Sequence, residues 1–106
     1  MVTYDDFKKL EIRIGKITSA ERIEGTNKLL KLEVDLGETK RQLVAGIAQY
    51  YKCEELTGEE VPVLVNLEMR KVRGVESQGM LLAVVEGEKP ILLHPDKEVS
   101  PGSIIQ

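Results

Sequence analysis

Leu30, Leu32, Val34 and Leu36 alternate with Lys31, Glu33 and Asp35, the cleanest period-two pattern in the chain. Side chains along a strand point to opposite faces in turn, so this run is a strand with one face in a core and the other in water. Gly37-Glu38 is a turn signal and Arg41 to Ala45 returns as a third strand, which makes the pair a hairpin. A hairpin in the first half of a chain of 106 residues leaves room for one small core, and we read residues 1–106 as a single domain. At 42% hydrophobic and 31% charged, the sequence is too apolar for disorder.

The flanking segments extend this sheet. Thr3 followed by Asp6 predicts an N-cap and its reciprocal partner, opening a short N-terminal helix through Phe7 and Leu10. Ile12, Ile14, Ile17 and Ile23 mark a long first strand whose alternation slips by one residue near Gly15-Lys16, and this predicts a β-bulge that bends it. Gly46 stops the third strand; Ile47 to Lys52 is expected to form one or two helical turns, and Glu54, Glu55, Glu59 and Glu60 a solvated acidic loop. Val61 to Leu67 and Gly79 to Glu86 are nearly continuous apolar runs that supply fourth and fifth strands. The result is all-β: five strands with a short helix between strands 3 and 4, a short N-terminal helix and a C-terminal extension. That is the order of an oligonucleotide/oligosaccharide-binding (OB) barrel, although small barrels of the SH3 type share the strand count. Ile91, Leu92, Leu93, Ile104 and Ile105 are apolar residues left over once the barrel is filled, which suggests a partner surface.

Charge narrows the function classes. The net charge is −3, so no global basic field announces a nucleic-acid partner. Residues 1–52 carry 10 Lys/Arg against 8 Asp/Glu and residues 53–106 carry 5 against 10, so any such site must be a local cluster. Cys53 is the single cysteine and can form no internal disulfide, and no charged-then-apolar leader opens the sequence; a cytoplasmic protein is expected. The longest apolar run, Met80 to Val85, is far too short to span a bilayer, so no membrane partner is expected. Nothing resembles a catalytic constellation, a metal-ligand spacing or a cofactor motif. The lone His94 precedes Pro95 and reads as a loop residue.

One segment carries candidate chemistry. Between strands 4 and 5, Asn66 to Met80 holds Arg70, Lys71 and Arg73, three cations in four residues, with Glu68 and Glu76 reducing the net charge to +1. Arginine forks and lysine point charges suit phosphates, and Asn66, Ser77 and Gln78 add neutral hydrogen-bonding groups. The same composition also fits an ordinary solvated hairpin loop.

Taken together, Asp6-Phe7, Ile12-Arg13-Ile14-Gly15-Lys16-Ile17, Asn27-Lys28-Leu29, Val34-Asp35-Leu36-Gly37, Arg41-Gln42-Leu43-Val44-Ala45-Gly46-Ile47 and Arg70-Lys71-Val72-Arg73-Gly74-Val75-Glu76-Ser77-Gln78-Gly79-Met80 resemble the tRNA-binding domain family. Its members are found free-standing and as the carboxy-terminal appendix or separate β-subunit of methionyl-tRNA synthetase. The resemblance covers essentially the whole chain. Departures are few: Ile23 to Asn27 replace a His-Pro-Asn-Ala-Asp run, so that only Lys28-Leu29 of that motif remain, Ala45 stands where serine is frequent, and Met69 stands where proline is common.

The resemblance implies an OB barrel that binds the outer corner of folded tRNA by shape, without catalysis and without a cofactor. It implies Asn66, Arg70, Arg73, Ser77 and Met80 as RNA-facing, with Lys28 nearby in the loop joining strands 1 and 2; Lys71 and Gln78, from the loop's own chemistry, complete the candidate tRNA-binding set. The aromatics Tyr4, Phe7, Tyr50 and Tyr51 all lie off strands 2 to 5, so structured RNA is favoured over a single strand. A homodimer is expected, with Phe7, Leu10, Ile91, Leu92, Leu93, Ile104 and Ile105 at its interface, and methionyl-tRNA synthetase is a possible partner. The competing readings are a protein-interaction scaffold in a synthetase complex and a generic single-strand binder.

Overall fold

Strand β1 (Ile12–Arg22) organises the fold because it is long enough to serve two partners in succession. In the computed structural model, which describes all of residues 1–106, its first half pairs with β4 (Glu60–Leu64), from Ile12 opposite Leu64 to Lys16 opposite Glu60. Its second half pairs with β2 (Leu30–Asp35), from Lys16 opposite Asp35 to Arg22 opposite Leu30. β2 in turn pairs with β3 (Lys40–Ala45), giving the order β3-β2-β1-β4-β7, with β7 (Met80–Leu81) on the far edge of β4. All pairings are antiparallel, and the sheet curls into the expected OB-type barrel.

The slip in β1 has a different origin from the expected bulge at Gly15. Ile12 and Ile14 face outward beneath the C-terminal segment, whereas Gly15 and Ile17 face the barrel interior, so both faces of this stretch are covered. The actual register shift lies between Ile17 and Ser19. Gly15 is needed for close packing: a Cβ there would lie 3.2 Å from Leu36 Cδ2 and 3.3 Å from Val34 Cβ.

The core contains Ile17, Leu30, Leu32, Val34, Leu43, Val61 and Val63, all fully buried, with Leu56 from α2 (Cys53–Leu56) closing it from one side. Full burial of an aliphatic side chain of this size stabilises by about 1.5–3 kcal/mol. The inter-strand helix starts later than expected. Residues 48–50 form a turn, and the helix begins after Lys52, whose backbone N–H donates to the Glu55 carboxylate at 3.0 Å. Glu54 and Glu55 therefore occupy a helical first turn, where the helix dipole favours acidic groups. At the N-terminus, α1 (Tyr4–Lys8) has the predicted capping box between Thr3 and Asp6.

Two other boundaries move. β4 stops at Leu64: Val65 N–H still keeps the register by donating to Glu11 C=O at 2.9 Å, but Glu11 N–H donates to Asn66 Oδ1 at 2.8 Å, and Val65 C=O accepts from Arg41 instead. The expected fifth strand divides: Met80–Leu81 stays on the barrel as β7, while β8 (Ala83–Glu86) leaves it and pairs with β9 (Lys89–Leu92) as a separate hairpin. β10 (Ile104–Ile105) then returns to pair with the start of β1. No helix is long and apolar enough to cross a membrane.

Candidate nucleic-acid interface

The segment from Asn66 to Met80 is itself a β-hairpin. β5 (Arg70–Val72) pairs with β6 (Val75–Ser77) through Arg70 opposite Ser77, Lys71 opposite Glu76 and Val72 opposite Val75. Arg73 and Gly74 make the two-residue turn with φ of 54° and 78°, the left-handed pair that matches the twist of a tight hairpin.

This hairpin stands against β3 and closes the barrel with side chains where a strand ladder is missing. Val44 N–H donates to Ser77 Oγ at 3.0 Å, and Ser77 Oγ–H donates to Gly79 C=O at 3.0 Å. Gln78 N–H donates to Gln42 C=O at 2.8 Å, Gln42 N–H to Gln78 Oε1 at 3.0 Å, and Gln42 Nε2–H to Glu76 C=O at 2.8 Å. Arg41 shares the interior face with its partner Val34 and donates from Nη1 to Val65 C=O at 2.9 Å and Gln78 C=O at 3.1 Å. Gly79 has φ of 144°, and a Cβ there would meet Leu64 O at 2.8 Å.

Three of the expected tRNA-facing residues therefore have their polar groups engaged inside the protein. Ser77 is 1% exposed, so its hydroxyl joins the seam and does not face solvent. The Gln78 carbonyl is held by β3. Asn66 is exposed, yet its Oδ1 accepts from Glu11 N–H at 2.8 Å and its Nδ2–H donates to Lys9 C=O at 2.7 Å, which ties the end of α1 to the end of β4.

The cations behave differently. Lys28, Arg70, Lys71 and Arg73 are exposed, and the ion pairs of the molecule engage other residues: Lys9, Arg13, Lys31, Lys40 and His94. Lys31 is neutralised by Glu21 at 2.8 Å, and Lys40 lies 3.8 Å from Glu33, so neither prolongs the free positive surface. The hairpin tip reaches the loop between β1 and β2, where Arg73 Nη1–H donates to Gly25 C=O at 3.4 Å. That loop is fixed in turn to the turn after β3: Ala48 N–H donates to Lys28 C=O at 3.0 Å, and Arg22 Nη2–H to Ala48 C=O at 3.3 Å. The segments that carry Lys28, Arg73 and Arg22 thus come together at the barrel end where β1 finishes, with Arg22 and Arg73 lining one depression alongside Glu21 and Glu24. Asn66 and Met80 lie toward the opposite end, since Asn66 holds Glu11 and Met80 pairs with Leu64, the partner of Ile12. Sequence inspection missed Arg22, which joins the cluster only because loops distant in sequence meet.

A family model described as "Putative tRNA binding domain" matches residues 12–104. The chain belongs to this family. Longer proteins contain a similar segment: the chain is 51% identical over 105 residues to a methionine–tRNA ligase of Thermococcus kodakarensis, covering 99% of the chain and 14% of the ligase. It is 55% identical over 102 residues to that of Methanothrix thermoacetophila, covering 96% of the chain and 15% of the ligase. The chain thus spans about one-seventh of the length of these relatives. Among solved structures, a MetRS-related protein from Pyrococcus horikoshii superposes with a TM-score of 0.94 at 38% identity, over 100% of this chain and 98% of that one. The chaperone CsaA from Bacillus anthracis superposes with 0.91 at 33%, over 100% and 99%.

The expected dimer residues divide as well. Leu93, Ile104 and Ile105 line an apolar groove of about 500 Å³ with Ile12, Ile14 and Leu82. Ile91 sits on the outer hairpin opposite Val84. Leu92 packs against the core, its N–H donating to the Tyr51 hydroxyl oxygen at 3.2 Å, and Phe7 is half-buried while Leu10 is exposed, both outside the groove.

Proposed function

We propose that this chain binds folded tRNA at its outer corner, by shape and without catalysis, as a cytoplasmic accessory or β-subunit of methionyl-tRNA synthetase. The observation that carries this reading is a set of exposed cations in no ion pair: Arg70, Lys71 and Arg73 on a hairpin braced at its base by β3 and at its tip by Gly25, with Lys28 on the adjoining loop between β1 and β2. Fixed cations without base-reading partners suit a sugar-phosphate backbone and give little discrimination among sequences. Met80 extends the surface at the hairpin base, while Ser77 and Gln78 act by holding the hairpin against β3, and Asn66 by tying the end of α1 to the end of β4. The ligase relatives support the synthetase connection, each containing a segment similar to this chain within a much longer protein.

A homodimer formed through the groove of Leu93, Ile104 and Ile105 completes the reading, because two copies double the number of phosphates that one small barrel can engage. The test is a titration with total folded tRNA against single-stranded RNA of equal length at two salt concentrations. Salt-sensitive binding that prefers folded tRNA is expected. Arg70→Ala and Arg73→Ala should each make the slope of log K against log salt shallower, by about 0.9 for every phosphate the arginine neutralises. Equal competition by the single strand would point to the generic binder, and absence of binding to the protein scaffold.

A further inference from the structure

The aromatic side chains differ in what they are already doing. Phe7 is half-buried on α1. Tyr4 is exposed at the opposite end of the barrel from the cationic loops, and the Lys8 ammonium covers its ring at 5.5 Å. Tyr51 packs against the core, and its hydroxyl oxygen accepts from Leu92 N–H. Tyr50 has none of these ties: it is 41% exposed, no cation lies over its ring and its hydroxyl has no partner in the protein. Its backbone is nevertheless fixed, because Tyr50 N–H donates to Ile47 C=O at 3.0 Å in the turn that Ala48 locks to Lys28 and Arg22.

We propose that Tyr50 is a stacking platform for one unpaired base of the RNA held by the neighbouring cations. The inference rests on the tRNA reading above and names the feature of the RNA that this corner takes. An exposed phenol on a rigid turn, two residues from Ala48, whose backbone is hydrogen-bonded to Lys28 C=O and to the Arg22 guanidinium, offers a π-face on the segment that joins these cationic loops. Stacking of this kind tolerates any base, so it adds affinity without selecting among tRNAs. It also requires a base free of its own helix, which a folded RNA supplies in its loops and a blunt duplex does not.

The experiment uses the full chain with total folded tRNA and a blunt RNA duplex, each titrated over a salt series. Tyr50→Ala is expected to weaken tRNA binding at least about fivefold at every salt concentration. The slope against log salt stays that of the wild type, because no charge is removed, and Tyr50→Phe retains wild-type affinity. On the blunt duplex, wild type and Tyr50→Ala bind equally. Equal tRNA binding by wild type and Tyr50→Ala overturns the proposal while leaving the tRNA reading intact. A loss that appears equally on the duplex, or with a shallower slope, also overturns it, since the ring then acts by holding Lys28 in place. Failure of the wild type to bind folded tRNA overturns the reading beneath it and the platform with it.

Discussion

Replacing Arg73 by asparagine should make the protein more stable and a weaker RNA binder at once. Arg73 is the only non-glycine residue with a positive φ, at 54°, and Gly74 follows at 78°. An ordinary side chain in the left-handed region costs about 1–2 kcal/mol, and asparagine recovers part of this through its short polar side chain. Against that gain stands the bond from Arg73 to Gly25, long at 3.4 Å and exposed. Even a well-formed hydrogen bond contributes a net of only about 0.5–1.5 kcal/mol, so this one contributes at the low end or below. The balance is a stabilisation of about 0.5–1 kcal/mol, read as a rise in Tm of about 2–8 °C for a domain of this size. Binding moves the other way, with the salt slope on folded tRNA falling by about 0.9 as one phosphate goes without its cation. Thermal melting by circular dichroism and tRNA titration across a salt series measure both on one preparation. A fall in Tm of more than about 4 °C would mean that the Gly25 bridge, not the turn, sets the hairpin's stability. An unchanged slope in a folded variant would remove Arg73 from the RNA surface.

Other substitutions probe the seam and the groove. Ser77→Ala strands Val44 N–H and Gly79 C=O, each worth about 1–3 kcal/mol when buried unpaired, so urea unfolding should lose about 2–6 kcal/mol. If Ser77→Ala instead unfolds like the wild type and binds tRNA less well, the hydroxyl belongs to the RNA surface. Gly79→Ala should cost more than about 2 kcal/mol, combining a glycine-only backbone angle with a Cβ 2.8 Å from Leu64 O; near-neutral melting would show that the β6–β7 junction relaxes freely. Light scattering should give twice the 11.9 kDa chain mass for the wild type and a single chain mass for Ile104→Glu, and a monomeric wild type defeats the dimer.

The order of the barrel was legible because β2 buries every second residue, so Leu30, Leu32 and Val34 announce both the strand and its inner face. The bend in β1 was legible only in part. Apolar residues cover both of its faces, and the switch from Ile14 outward to Ile17 inward mimics a bulge in sequence. The end of the fifth strand was hidden for a similar reason: Val84 and Val85 look like core but lie exposed on the β8–β9 hairpin. In the candidate site, local composition identified Arg70, Lys71 and Arg73. It could not separate these from Ser77 and Gln78, because which polar groups are already satisfied depends on Gln42 and Val44, more than thirty residues away in the chain. Arg22 and Tyr50 were illegible as candidates, since only the hydrogen bonds through Ala48 join their segments to that of Lys28.

The way the barrel is sealed makes the charged hairpin a lever of adjustable length. Its base is fastened at Ser77 and Gln78, and its tip is a two-residue turn held outside itself by the long, exposed bond from Arg73 to Gly25, so one residue added to each arm between them lengthens the reach by about 3.4 Å, giving up that bond but leaving the seam untouched. One added residue reverses the face that outer side chains present, and two restore it. The span between the cationic tip and the barrel wall is thus a variable that this architecture can change in discrete steps, independently of the core that supports it.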